Sequence, residues 1–401
     1  MIHISFKGIC NVFGSLYLIF SKIILSHKVD VIFYYPQHFN RGADGKNPYF
    51  EPLIKVCRDN GIRYIQLEEP AGGSDKPKNR ESVPADFLLW SITLIRKFFR
   101  SVLKFPYLKQ ERFTAFIINI LSLGKLKVKC YITISGSMEH FFALLNKNGK
   151  VYDYQHGIIY SWHWGYFDKN GKLHPEHMLD NLNFLLYGEG FLKSFTLNNP
   201  SEITKRIHIT GYPISIYNPP AVKSNRNKVL FSLQYTDDGN EEELLAFSEL
   251  FSKALQELQN FDGEILYKHH PRYNNSYDIS SIVSKNKNIK ETPQSIDKLH
   301  DSLLLHITFY STTTFEYAAY GVPTYFLFSE KFDTGKSVFY DEYEYPLYRN
   351  MDLSEVINQL SQSQYFLNDS IKIKEWYNRF YKEFDKELFL RVINSTIHEK
   401  K

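Results

Sequence analysis

Two short segments of the chain carry residue types suited to holding and releasing a phosphate. The first, Glu264 to Pro271, reads Glu-Ile-Leu-Tyr-Lys-His-His-Pro: an apolar run ending in Lys268, His269 and His270. Pro271 stops the run, because proline cannot donate to a sheet ladder. The second, Leu303 to Pro323, is an apolar run followed by Ser311, Thr312, Thr313 and Thr314, then Glu316, Ala318, Ala319, Gly321 and Pro323. Hydroxyls at a helix start bind phosphate oxygens, and a nearby ammonium or imidazolium offsets the charge of a departing phosphate. Glu316, one turn into the helix, is placed to accept sugar hydroxyls. The same Ser/Thr–x–x–Glu pattern also describes an ordinary capping box.

Two further groups are candidate bases. His156, in Gln155-His156-Gly157, follows the apolar run Val151–Tyr154, and Gly157 lets the chain turn there. A neutral imidazole suits proton abstraction from a hydroxyl. Asp238, in Asp237-Asp238-Gly239, is the second, although acids also suit the start of the helix that follows. The sequence does not choose between the two. The tract Tyr160 to Tyr166 is dense in rings, and Trp162, His163, Trp164 and Tyr166 form a candidate platform for a sugar acceptor.

These residues need a scaffold that brings strand ends together. Runs read as strands occur at 29–35, 63–67, 128–134, 151–154 and 207–210, then at 229–234, 264–267, 288–291, 303–308 and 324–327. Helical segments at 52–60, 138–146, 241–258 and from 370 onward alternate with them. That alternation predicts α/β domains with parallel sheets. The Pro-, Asn- and Lys-rich stretch predicts a linker at 218–227 between domains 1–217 and 228–375, with 376–401 as a helix returning to the first domain. A length of 401 residues suits two domains.

Composition excludes several classes. A net charge of +4 is too weak for a nucleic-acid binder. Three scattered cysteines imply neither a disulfide framework nor a metal cluster, and fit a reducing, cytoplasmic setting. No Walker loop, Gly-x-Gly-x-x-Gly or Asp-x-Asp at a strand end is present, and the histidines show no ligand spacing, so no metal or other cofactor is expected. The segment 12–25 is too short to span a bilayer. The stretch 87–109 mixes large apolar residues with Arg96, Lys97, Arg100, Lys104 and Lys109. It reads as a basic amphipathic helix able to lie on an anionic inner-membrane surface.

Lys268-x-His270-Pro271 resembles the His-Pro motif of bacterial sialyltransferases and of the CDP-glycerol glycerophosphotransferases. Ser311–Thr313 followed by Glu316 resembles their Ser/Thr motif, and Gln155-His156-Gly157 resembles the His-Gly pair of teichoic-acid polymerases. Asp237-Asp238-Gly239 is similar to the acidic motif of the sialyltransferases. The resemblance implies the GT-B fold, two Rossmann-like doubly wound domains facing a cleft. It also implies an inverting, metal-independent glycosyltransferase that moves a sugar or sugar acid from a nucleotide donor, CMP-linked by preference, to a capsule or lipopolysaccharide glycan. His156 or Asp238 would be the base and His270 the phosphate ligand or acid. Lys268, Ser311, Thr312, Thr313 and Glu316 would hold the donor. The rival expectations are a nucleotide-sugar epimerase or hydrolase, and a non-catalytic assembly subunit.

Overall fold

The computed structural model describes residues 6–25, 29–70, 78–134, 136, 138–214, 226–236, 241–270, 273, 277–286 and 288–398. The chain divides into two compact units, Met1–Ser215 with Lys382–Lys401, and Ile216–Tyr381.

The first unit holds a seven-stranded sheet with strand order β3-β2-β1-β4-β5-β6-β7. Its strands are β1 (Val31–Pro36), β2 (Tyr64–Glu69), β3 (Val83–Pro84), β4 (Cys130–Ile134), β5 (Lys150–Tyr154), β6 (Leu182–Leu186) and β7 (Ile207–Ile209). Every pairing in it is parallel. β1, β4 and β6 are buried along their whole length, which is why they are mostly apolar and aromatic rather than alternating, with Thr133 and Asn183 as the polar exceptions in β4 and β6. Helices α1 (Phe6–Ile19), α2 (Glu51–Asp59), α3 (Asp86–Ser101), α4 (Tyr107–Leu121), α5 (Glu139–Leu145) and α6 (Leu192–Thr196) accompany the sheet. α2 stops at Gly61, whose φ of 69° is the left-handed turn that suits glycine after a helix.

The second unit repeats the plan with order β10-β9-β8-β11-β12. The strands are β8 (Lys228–Ser232), β9 (Glu264–Lys268), β10 (Ile289–Glu291), β11 (Leu303–Thr308) and β12 (Thr324–Phe326). All pairs are again parallel. Its helices are α7 (Glu241–Glu257), α8 (Ser280–Val283), α9 (Ile296–Leu299), α10 (Thr313–Ala319), α11 (Leu353–Leu360) and α12 (Ser363–Phe380). At the sheet's centre, buried His306 bonds Thr324 Oγ1 through Nδ1 and Ser232 Oγ through Nε2, both at 2.9 Å. One imidazole thereby ties together three adjacent strands.

A last helix, α13 (Lys386–His398), belongs to the first unit. Tyr152 on β5 meets Thr396 at 2.6 Å between hydroxyls, and Lys129 donates to the carbonyl of Ile397. The segment leading to α13 is stitched to β7's exit by Tyr212 N–H to Lys382 O (2.7 Å) and Asp385 N–H to Thr210 O (2.9 Å). Gly211 between them has a φ of 87°, and a Cβ there would run into the backbone of Glu383.

Several local expectations shift. The helix read from 370 onward begins at Ser363 and is broken before α13. β3 is only two residues long and carries no periodic signal. The expected linker at 218–227 falls mostly outside the described residues. Arg96 does not join a solvated basic face: it turns inward to the fully buried Glu111, Nη2 to Oε2 2.6 Å. Among the described residues, no helix is long and apolar enough to cross a membrane.

Candidate functional site

In each sheet the strand order reverses once, between β1 and β4 in the first unit and between β8 and β11 in the second. In open parallel sheets, ligands bind outside the carboxyl ends of the strands at such a reversal. Most of the sequence-selected residues lie at those ends.

In the first unit His156 follows β5, beside β4. Its position is set by Gln155, whose side chain accepts from Tyr187 N–H and donates to Gly157 O, each at 2.8 Å. Gly157 supplies the turn with φ 73°. The imidazole faces the loop that leaves β1: its ring lies 4.6 Å from Phe39 and 5.8 Å from Tyr49, edge-on to both. Burial, then the positive charges of Arg41 and His38, hold its pKa down at about 4. His156 is therefore neutral near pH 7, and a weaker proton acceptor than an exposed histidine. The other candidate base, Asp238, lies outside the described residues, as do Asp237 and Gly239.

The ring-dense tract divides. Trp164 is 83% exposed and Trp162 41%, so both offer faces to a ligand. His163 is half-buried and stacks parallel to Trp164 at 6.3 Å. Tyr166 differs from the acceptor role expected of it. It is buried, and its hydroxyl donates to Asp153 Oδ2 at 2.8 Å, so its ring is part of the core rather than a sugar platform.

Beneath this tract lies a buried polar cluster that the sequence did not reveal. Glu139 and His140 open α5, and His177 lies in a short turn of 3-10 helix, Pro175–Met178. His140 Nε2 is 3.1 Å from His177 Nδ1 and 3.3 Å from Glu139 Oε1. Burial, reinforced by the facing Asp153, pushes the Glu139 carboxyl well up. No spacing signal could have found this set, since the two histidines are 37 positions apart and meet only through the fold.

In the second unit the three inner strands deliver three polar ends. β8 runs into Gln234, which accepts at Oε1 from Thr308 Oγ1 (3.1 Å) and Tyr310 N–H (3.0 Å). This pins the exit of β11 to that of β8 across the reversal point. Beyond it Ser311 Oγ accepts from the Thr313 hydroxyl at 2.9 Å and from Thr313 N–H at 3.3 Å. Thr312 is exposed, Ser311 and Thr313 half-exposed, and Glu316 projects outward from α10. The buried Thr314 Oγ1 has no hydrogen-bond partner.

At the end of β9, His269 stacks flat on Tyr273, centroids 3.7 Å apart at 1°. His270 is half-buried, and its carbonyl accepts from Tyr273 N–H at 2.9 Å. Lys268 Nζ donates to Gln294 O at 3.3 Å, on the β10 side of β9 and so away from β11. Pro271 lies outside the described residues. The structure thus sets Lys268–His270 and Ser311–Thr313 at carboxyl ends of one sheet with β8 between them. A concavity of about 630 Å³ on this unit lies elsewhere, lined by Glu242, Glu243 and Glu249 with Lys331, a mostly acidic set ill suited to an anion.

No protein-family model matches the sequence, and no curated protein resembles it. Solved structures do. A Listeria monocytogenes protein assigned as a UDP-N-acetylglucosamine 2-epimerase is 12% identical, with 93% of this chain and 98% of that chain covered at a TM-score of 0.50. The glycosyltransferase SnogD from Streptomyces nogalater is 11% identical over 92% of this chain and 99% of that chain, TM-score 0.48. The wall teichoic acid polymerase TagF is 14% identical over 98% of each chain, TM-score 0.44. At these identities the likeness is one of fold: α/β, GT-B class, two parallel sheets flanked by helices.

Proposed function

We propose that this protein is a nucleotide-sugar-dependent glycosyltransferase that moves a sugar or sugar acid, from a CMP-linked donor by preference, to a cell-surface glycan, a capsule or lipopolysaccharide chain. One observation carries the reading: the hydroxyls of Ser311 and Thr313 after β11 and the histidines after β9 sit at carboxyl ends of the second sheet, with only β8 between those strands. In this reading Ser311, Thr312 and Thr313 hold the donor phosphate, and Glu316 takes the ribose. His270 offsets the leaving-group charge. Lys268 adds positive potential from the outer side of β9. His156, neutral at pH 7, removes the proton from the acceptor hydroxyl. Trp162 and Trp164 stack on the acceptor sugar, with His163 beside them.

The exposed face of α3 supports a peripheral membrane contact, because Trp90, Leu94 and Phe98 stand out beside exposed Lys97 and Arg100. Co-sedimentation with anionic vesicles but not neutral ones is the expected outcome; equal recovery with both ends that part of the reading.

The experiment for the reaction supplies donor with and without glycan acceptor. A transferase releases nucleotide at an acceptor-dependent rate, and His270→Ala removes that rate while the melting temperature is kept. Rapid donor turnover with no acceptor present would favour an epimerase or hydrolase instead.

A further inference from the structure

The geometry points to a divalent-metal site in the first unit, formed by Glu139, His140 and His177, that takes a borderline-soft cation of the zinc class. The three donor atoms lie within 4.8 Å of one another. Zinc bonds of about 2.0–2.2 Å in tetrahedral array put neighbouring ligand atoms about 3.3 Å apart. The separations here are 3.1 Å between the imidazole nitrogens and 3.3 Å from His140 Nε2 to Glu139 Oε1. Two imidazoles and a carboxylate form a recurrent zinc ligand set.

The outer contacts match. His177 Nε2 lies 2.9 Å from Gly165 O. A carbonyl only accepts, so Nε2 carries the proton and Nδ1 turns a lone pair into the cluster. His140 Nδ1 lies 3.1 Å from Tyr107 OH. When Nδ1 donates to that oxygen, Nε2 too presents a lone pair, and two lone pairs 3.1 Å apart call for a cation between them. Metal-bound histidines are oriented by such outer partners.

An alternative needs no metal: Tyr107 donates to His140, and His140 Nε2–H donates to His177 Nδ1. That chain leaves Glu139 poorly served. Glu139 is 2% exposed and its Oε2 has no hydrogen-bond partner. The nearby guanidinium, Arg96, is bound to Glu111 at 2.6 Å. A cation bound through Oε1 to the two imidazoles would also neutralise the carboxylate form of Glu139, which is costly to bury without a counter-charge. It also clamps the start of α5 to the turn bearing His177 and, through Gly165, to the loop that carries Trp162 and Trp164.

The test uses the full chain, stripped with chelator, desalted and titrated with zinc alone by calorimetry. Cobalt is titrated in parallel and read by visible absorption. The expected result is one tight equivalent of zinc, a four-coordinate cobalt spectrum and a melting temperature that rises with zinc. Glu139→Gln, which keeps side-chain size, weakens binding at least about tenfold, the scale of a lost ligand-sphere contact. His177→Ala removes the equivalent, whereas the nearby His174→Ala keeps it. Absence of stoichiometric binding in the wild type, or unchanged affinity in Glu139→Gln, overturns the site. The Glu139→Gln result decides the matter even where His177→Ala fails to fold.

Discussion

The ring of His156 stands at 89° to that of Phe39, with centroids 4.6 Å apart. The contact joins the exit of β5 to the exit of β1, reaching past β4 and over the point where strand order reverses. It encloses the imidazole against aromatic edges and leaves Arg41 as the nearby positive charge, joined by His38 only when that ring is protonated. A histidine in this setting resists protonation, which separates its chemistry from that of an exposed one.

The consequence is measurable in a pH–rate profile. If His156 is the base, the acidic limb of kcat/KM falls near pH 4 rather than near 6.5, because burial and like charges disfavour imidazolium. Arg41→Ala removes one of those charges, so the limb moves to higher pH. A limb that ignores Arg41 assigns the titration to another group, Asp238 foremost.

His306 makes a prediction about stability. It is fully buried, both nitrogens are bonded, and burial pushes its pKa down to about 3. Above its ordinary value near 6.5 it is neutral in both folded and unfolded chains. As pH falls below that, the unfolded chain takes up the proton and the folded one does not, so stability drops. The slope approaches about 1.4 kcal/mol per pH unit until the folded value is reached. His306→Ala removes that residue's share of the dependence, leaving the share of other buried histidines such as His140 and His156, and costs roughly 3 kcal/mol at pH 7, in the range of large-to-small core changes. Denaturant melts at pH 7 and pH 5 for both proteins check it.

Gly211→Ala tests the attachment of α13. The new Cβ meets the backbone of Glu383, and the φ of 87° is one that alanine resists. A loss of about 1–3 kcal/mol is expected from the strained backbone alone. Limited proteolysis should cut the variant between Lys382 and Lys386 before the wild type is touched. Equal cleavage rates would mean that the segment is held by other contacts.

Much of the scaffold was legible because buried parallel strands announce themselves. Val-Ile-Phe-Tyr-Tyr at 31–35 and Leu-Leu-Leu-His-Ile-Thr at 303–308 are mostly apolar and buried on both faces. Gly157 likewise marked the turn that sets His156. Side-chain direction was not legible. Lys268 and His270 look alike in sequence, yet the ammonium turns toward Gln294 beside β10. Tyr166 sits in the same aromatic run as Trp164, but its hydroxyl is claimed by Asp153 on β5. Arg96 reads as one more surface cation until Glu111, 15 residues on, draws it inward. The Glu139–His140–His177 cluster was invisible for the same reason: it exists only once α5 and the turn at 175–178 are folded against each other.

The most direct measurement is nucleotide binding by the intact chain: a melting-temperature series with CMP, CDP, UDP, GDP and dTDP, repeated on Ser311→Ala and His270→Ala. A ligand that prefers the native state must raise its melting point. The account predicts a rise with CMP above the others, cut at least about tenfold in affinity by either substitution, the scale of about 1.4 kcal/mol. No shift with any nucleotide, or a shift that both variants retain in full, would contradict it.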